Sequence, residues 1–333
     1  MPAGTRQACR YLSSAWISTA TRSTAEKLLV EAHHARPVVR EQLIDANQLQ
    51  RLSLALDRPD LYRNVPVRGQ LNGPPSGTPV PPGYHLAYFT PALLPGELGP
   101  DGADVTYNPP PPFTRRMWAG GYITWERDNP LRVGQHVIET TKLVSAEPKR
   151  TRTGQDMIVV RVEKSFENEQ GLSLVDRRDW VFRHAWDAGS TEEPLIKRQI
   201  DEQHPLPVPQ NPAIKTRDFL QTPISLFRFS ALTFNGHMIH YSLPWASQVE
   251  GQPHIVVHGP LNLINILDFW RDEMNEGGYS SPASIRYKAT SPFYAGMKYR
   301  ALLELNDKTA FIRLCDSDAE NNMRTGMVAD LMH

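Results

Sequence analysis

One segment limits what this chain can fold into more than any other. Gly259-Pro260 is followed by Leu261, Leu263, Ile264, Ile266, Leu267, Phe269 and Trp270. Wound into an α-helix, these side chains cover most of the circumference, and a helix apolar nearly all round belongs in a core. Pro260 suits the first helical position, where its missing N–H costs nothing. The stretch from Ile255 to Trp270 is broken by His258, Gly259, Pro260, Asn262, Asn265 and Asp268. It therefore falls short of the roughly 20 apolar residues a membrane span needs. The rest of the chain has to enclose this helix.

Strand-like runs follow it: Ser284 to Ala289, Lys298 to Leu305, Ala310 to Leu314 and Gly326 to Leu331. Leu131 to Arg183 carries the same signal. Within it, Met157 to Glu163 is β-branched and follows a turn at Thr153-Gly154-Gln155-Asp156, and Leu172 to Phe182 reads as another strand. A long buried helix with several antiparallel strands is the hotdog arrangement, a sheet wrapped round a helix. An internal echo points to two such units. Pro130-Leu131-Arg132-Val133-Gly134 and Pro292-Phe293-Tyr294-Ala295-Gly296 each precede a strand, with two further strand-like runs behind. The expected fold class is α+β, a double hotdog of two antiparallel sheets each round a central helix, the second well formed and the first degenerate. A length of 333 residues suits two modules.

Proline clusters mark the connections: Gly73 to Pro82, Pro109 to Pro112, and His204 to Pro212. Proline fixes φ and lacks an N–H, so these are extended links rather than helices or central strands. The expected division is a leader at 1–25, a degenerate hotdog at 26–200, a Pro-rich linker at 201–215 and a catalytic hotdog at 216–333. The leader reading rests on residues 1–25. They hold no acid, carry Arg6, Arg10 and Arg22 among many Ser and Thr, and space Tyr11, Leu12, Trp16 and Ile17 between them. That is the composition of a mitochondrial transit peptide, so a mitochondrial location is expected.

Charge narrows the partners. Lysine plus arginine equals aspartate plus glutamate, 36 each, with no long basic run, so nothing electrostatic points to DNA or RNA. Two cysteines, Cys9 and Cys315, form no CxxC pair, which argues against a cysteine zinc site or a disulfide framework.

The densest chemical signal lies just ahead of the apolar helix, in Phe229-Ser230-Ala231-Leu232-Thr233-Phe234-Asn235-Gly236-His237-Met238-Ile239-His240-Tyr241, followed by Val256-Val257-His258-Gly259-Pro260. The histidines His237, His240, His254 and His258 raise a metal hypothesis. No carboxylate or cysteine accompanies them in the segment, so no metal is assigned. His237 and His240 fall in an expected loop or strand.

This segment resembles the MaoC-like, or type 2, hydratase family. Aligned on the last histidine of the family motif, Asn235 stands at the acid position, His237 at the asparagine position and His240 at the histidine position, with Ala246 also matching. Asparagine in place of the acid departs from the wider family. The resemblance is nearer to the double-hotdog proteins related to mitochondrial hydroxyacyl-thioester dehydratase type 2 and to mesaconyl-CoA hydratases. It is carried by Glu97 to Gly102, Arg115 to Gly121, Pro130 to Gly134, Ser230 to Tyr241 and Val256 to Leu261. It implies a hydro-lyase interconverting (3R)-hydroxyacyl and trans-2-enoyl thioesters of coenzyme A or acyl carrier protein. It implies no cofactor, and a homodimer is among the assemblies it allows.

The residues suit that chemistry. Charge grows on the thioester oxygen in the transition state, and a helix N-terminus supplies waiting N–H donors. Gly259 opens the helix, so its N–H has no intrahelical partner, and the missing side chain admits a close approach. His240 is the general base, having a side chain that ordinarily titrates near neutrality. Asn235 cannot act as a base but can hold water or the leaving hydroxyl through its amide. His237 either shares the proton work or fixes the loop. His258 is read as packing near the helix start, and Trp118-Ala119-Gly120-Gly121 as structural, with glycines at a bulge or close approach. Three alternatives stay open: a mesaconyl-CoA-type hydratase or specialised-pathway dehydratase, which the resemblance also covers; a hotdog thioesterase, disfavoured because the motif offers no carboxylate; and a non-catalytic acyl-thioester binding protein. The first half lacks an Asn-x-His-x-x-His segment, so one active site per chain is expected.

Overall fold

The structure is a computed structural model that describes residues 17–151, 153–186, 205–275, 278–317 and 322–333. The first half runs through helix α1 (Thr19–His34), strand β1 (Val38–Leu43), helix α2 (Ala46–Ala55) and a small ribbon of β2 (Asp60–Tyr62) and β3 (Val65–Pro66). Four long strands follow: β4 (Arg115–Trp125), β5 (His136–Arg150), β6 (Asp156–Asn168) and β7 (Gly171–Arg183). The second half holds β8 (Lys215–Leu220), α3 (Pro223–Leu232), α4 (Gly259–Asn275), β9 (Ser284–Ala289), β10 (Lys298–Leu305), β11 (Thr309–Ser317) and β12 (Met323–Met332).

All strands but the ribbon make one ten-stranded antiparallel sheet in the order β1-β5-β6-β7-β4-β9-β12-β11-β10-β8. The order reads alike from either end, because each half repeats the same unit. β4 and β9 meet at the centre, where Tyr122 faces Arg286 and the guanidinium lies 4.9 Å from the tyrosine ring centroid.

The repeat holds residue by residue. β1 opens at Val38 and β8 at Lys215, and α2 opens at Ala46 and α3 at Pro223; in both pairs the numbers differ by 177. Asp45 and Thr222 cap the two helices by accepting the N–H three residues on. Each helix ends beside a residue with positive φ, Asp57 at 58° and Phe234 at 50°. Val80 donates to the Leu131 carbonyl as Val257 does to that of Phe293. The echo seen in the sequence is this equivalence: Gly134 and Gly296 both take left-handed φ, 87° and 84°, and donate to Ile44 and Gln221.

Both halves wrap around α4. Every side chain from Leu261 to Arg271 is buried, and each large apolar one contributes roughly 1.5–3 kcal/mol of transfer free energy. Several of its polar side chains are paired inside: Tyr299 donates to Asn262, and Asp268 accepts from Tyr84 and Arg271. The N-terminal end of α4 faces the cleft described below. The C-terminal part lies against the first half, where Arg58 makes two 2.8 Å bonds to Asp272. The first half itself offers only a 3₁₀ turn, Tyr84–Ala87, where a second central helix would stand. A Cβ on Gly83 would lie 2.9 Å from Leu267, so first-half backbone rests directly on α4. That is what makes the first hotdog degenerate.

Two sequence expectations meet a different structure, and a third lies partly outside the described residues. α1 begins at Thr19, inside the segment read as a leader, with Thr21 and Ala25 buried and the Thr21 hydroxyl donating to Asp156 at 2.7 Å. Residues 19–25 are therefore part of the folded first half, while 1–16 lie outside the described residues. In the expected linker, 201–204 also lie outside them. The part from Pro205 to Ile214 has no helix or strand and is held by Ser317 and Arg300, which donate to its carbonyls. Finally, the motif segment is neither plain loop nor strand: it begins in the last turn of α3 and continues into a 3₁₀ turn at Met238–His240.

Candidate active site

A cleft of about 1860 Å³ opens along the joint between the halves. Asn235, His237, His240 and Gly259, the four residues singled out from the sequence, all line it. The 3₁₀ turn brings His240 under the N-terminus of α4. Its Nδ1 lies 2.8 Å from the Val256 carbonyl, three residues before that helix starts. A carbonyl can only accept, so Nδ1 carries the proton and Nε2 is left as an unprotonated acceptor. Burial, reinforced by His237, lowers the His240 pKa to about 3, which keeps the imidazole neutral at pH 7.

Neighbouring imidazoles hold that ring in place. His258, fully buried, stacks on His240 with ring centroids 3.6 Å apart, and its Nε2 sits 2.8 Å from the Ser230 hydroxyl. His237 meets His240 edge-on at 5.4 Å. Burial, with the charge of Arg116 added, lowers the His237 pKa to about 3, and burial holds that of His258 well below its ordinary value. Three neutral imidazoles packed together give His240 little rotational freedom.

Asn235 has its orientation set locally. Its Oδ1 accepts the His237 backbone N–H at 3.1 Å, which turns the amide so that the NH₂ remains for a ligand. Gly259 is the first residue of α4. A Cβ there would lie 2.8 Å from the indole of Trp118, so packing against the first half requires glycine. Trp118 also stacks on Tyr287, with ring centroids 6.2 Å apart.

Two contributors come from the first half. Asp101 places Oδ2 3.4 Å from His237 Nε2 and accepts the Met238 N–H on its backbone carbonyl at 2.8 Å. Its loop lies flush on the motif, since a Cβ on Gly102, at φ 78°, would collide with the Gly236 carbonyl. The Glu97 to Gly102 turn is visible in the sequence, but nothing local places it beside His237. Trp118 was read as structural. The bulge between Trp118 and Gly120 and the close approach of Gly120 to Tyr287 agree with that reading, but the ring also forms a wall of the cleft.

A neutral imidazole with a free Nε2 beside the open N-terminus of a buried helix, on a double-hotdog frame, defines an acyl-thioester hydro-lyase of the hydratase–dehydratase class. The chain belongs to the hydroxyacyl-thioester dehydratase type 2 family, whose model matches residues 83–295. A mesaconyl-C(4)-CoA hydratase of Chloroflexus aurantiacus is 33% identical over 242 residues, 70% of this chain and 79% of that protein. The mitochondrial hydroxyacyl-thioester dehydratase type 2 of Schizosaccharomyces pombe is 29% identical over 207 residues, 58% and 68% respectively. A MaoC-like dehydratase from Phytophthora capsici shares the fold, with a TM-score of 0.61 at 13% identity over 92% of this chain and 98% of that one.

Proposed function

We propose that the chain reversibly hydrates trans-2-enoyl thioesters to (3R)-hydroxyacyl thioesters, with His240 as the base. The observation that carries this reading is the Nδ1 contact to the Val256 carbonyl, which leaves His240 Nε2 as a proton acceptor at the mouth of α4. In hydration, His240 Nε2 takes a proton from water as its oxygen bonds to C3. Negative charge then moves to the thioester oxygen, where the Gly259 N–H and the positive end of α4 receive it. The imidazolium returns its proton to C2. One O–H bond and the C2–C3 π bond are broken, and one C–O and one C–H bond are formed. Asn235 holds the water, or the hydroxyl leaving in the reverse direction, through its NH₂. His237, with Asp101 behind it, keeps the turn and the His240 ring in position.

The acyl carrier is coenzyme A or acyl carrier protein; the relatives' names include a mesaconyl-C(4)-CoA hydratase and a mitochondrial hydroxyacyl-thioester dehydratase. The second of these, with the acid-free, arginine-bearing residues 1–16, supports a mitochondrial location, and we place the reaction in fatty-acid synthesis there. A leader consistent with the fold ends before Ser18, whose hydroxyl caps α1.

The test follows loss of enoyl absorbance with crotonyl-CoA and a longer enoyl-CoA. Wild type is expected to hydrate at least one. His240→Ala should lose about 10²- to 10⁴-fold, the usual worth of a positioned base. Full activity in the variant would remove the base assignment, and release of free thiol in place of hydration would favour a thioesterase.

A further inference from the structure

His237 and His240 differ in where the proton sits on the ring. His240 gives its Nδ1 proton to a carbonyl. His237 turns the other nitrogen inward: Nε2 is buried, completes no hydrogen bond among the described residues, and has Asp101 Oδ2 3.4 Å away. A ring nitrogen that faces a carboxylate either carries a proton or sets one lone pair against another. Burial and the charge of Arg116 keep the ring neutral at pH 7, so it holds a single proton. That proton belongs on Nε2, and Nδ1 is left bare. Nδ1 hydrogen-bonds no described residue and, unlike Nε2, is open to the cleft that His237 lines.

Asp101 is held so that only one of its oxygens can reach the ring. Oδ1 accepts the Ala103 N–H at 3.0 Å, closing a turn on its own loop. The loop is tied again by the Gly99 N–H, which donates to the Ala103 carbonyl at 2.8 Å. Its seat on the motif is close from both sides: a Cβ on Gly236 would lie 2.7 Å from the Gly102 carbonyl. The first half therefore delivers Oδ2 to His237 as part of a fixed turn.

The attacking water shows what a bare Nδ1 is for. One lone pair of its oxygen forms the bond to C3, and the other accepts from the Asn235 NH₂. One O–H gives its proton to His240 Nε2. The second O–H still needs an acceptor, and a water with one arm unpaired turns away from the line of attack. His237 lies next to His240, with ring centroids 5.4 Å apart.

We infer that Asp101, a residue of the first half, is a positioning residue for hydration: by holding the His237 proton on Nε2, it leaves Nδ1 to accept the second O–H of the attacking water. The inference rests on the hydro-lyase reading above. No proton moves through His237. The O–H that it accepts survives as the hydroxyl of the product, and His240 alone exchanges a proton with the substrate, so the bonds broken and formed are those already written. In dehydration the same nitrogen accepts from the 3-hydroxyl and turns a lone pair of its oxygen toward the His240 imidazolium. The first half thus reaches the chemistry through one carboxylate, besides walling the cleft.

The experiment compares Asp101→Asn with Asp101→Ala. In the asparagine variant the amide oxygen keeps the bond to the Ala103 N–H, so the NH₂ faces Nε2 and forces the proton onto Nδ1, pointing it at the water. ¹⁵N NMR of histidine-labelled protein tells a protonated ring nitrogen from a bare one, and His237→Gln assigns the signals. Wild type should show Nε2–H at His237, and Asp101→Asn should show Nδ1–H. With crotonyl-CoA, kcat of folded Asp101→Asn should fall about 10²-fold, the cost of misplacing a reacting group, with KM little changed. Asp101→Ala removes the instruction without reversing it and should lose less. A carboxylate that only braces the loop gives the opposite order, because asparagine keeps the turn and alanine does not; that order would overturn the inference. So would Nδ1–H in wild type, or wild-type kcat in Asp101→Asn, and either leaves the hydro-lyase reading standing. Absence of hydration by wild type, with both tautomers as expected, would instead remove that reading and the role in hydration while the proton assignment stands.

Discussion

The segments 38–83 and 215–260 are two copies of one backbone with opposite contents. Where the second carries Asn235, the first carries Arg58; both donate their N–H to a serine carbonyl in the preceding helix, Ser230 and Ser53. Where the second carries Gly259, the first carries Pro82, which has no N–H to offer a thioester oxygen. His240 Nδ1 meets the Val256 carbonyl, and at the matching carbonyl, Pro79, the Tyr62 hydroxyl donates at 2.8 Å. The first copy has become a plug: Arg58, Tyr62 and Tyr84 close round Asp268, Arg271 and Asp272 of α4. The difference teaches that the frame does not confer catalysis. The proposed function rests on a free ring nitrogen and an open N–H, and both are lost when the same positions are turned to pairing with a helix.

The comparison is broken most severely by giving the second copy the first copy's residue. Gly259→Pro removes the N–H and presses on Trp118, so kcat for enoyl hydration should fall about 10²- to 10³-fold, the worth of an oxyanion donor. Steady-state kinetics on folded protein check this, and an unchanged kcat would take Gly259 out of the chemistry.

Acid should separate the halves next. His237 and His240 have folded pKa values of about 3, below the unfolded value near 6.5. Between those limits the unfolded chain binds more protons. Their stabilisation is whole above pH 6.5 and is lost as pH falls toward 3, each histidine contributing up to about 1.4 kcal/mol per pH unit. Denaturant midpoints across pH 7 to 4 should fall, and less steeply in His237→Gln. Over the same range kcat/KM should show no limb from His240, which stays in its base form.

The smallest expected effect lies in the plug. Tyr62→Phe deletes the bond to Pro79 and should cost about 1 kcal/mol of stability while leaving hydration kinetics unchanged. A large fall in kcat would mean that the first copy takes part in turnover.

Much of this was legible in the sequence because the signals were local. The all-round apolar run gave α4, the strand-like runs gave β9 and β10 at their observed limits, and the contiguous motif brought Asn235, His237, His240 and Gly259 together. α2 was missed because its buried face mixes Leu49 and Leu52 with Gln50 and Ser53, which blurs a 3.6-residue period. β1, with every second residue exposed, offers little apolar contrast. Asp101 and Trp118 belong to the site through contacts across more than a hundred residues of chain, and no short-range pattern records them.

That α4 serves both halves of the sheet bears on how the molecule comes apart. Among the described residues, no other long helix fills the concave side of the sheet around the main core. If the chain were cut between Trp186 and Pro205, the N-terminal fragment would keep Arg58 and Tyr84 without the acids of α4 that they meet, and the C-terminal fragment would expose half of a greasy rod. Neither piece is a self-sufficient folding unit. Heating should therefore give one calorimetric peak rather than two, and separately produced fragments should be recovered only when mixed during refolding.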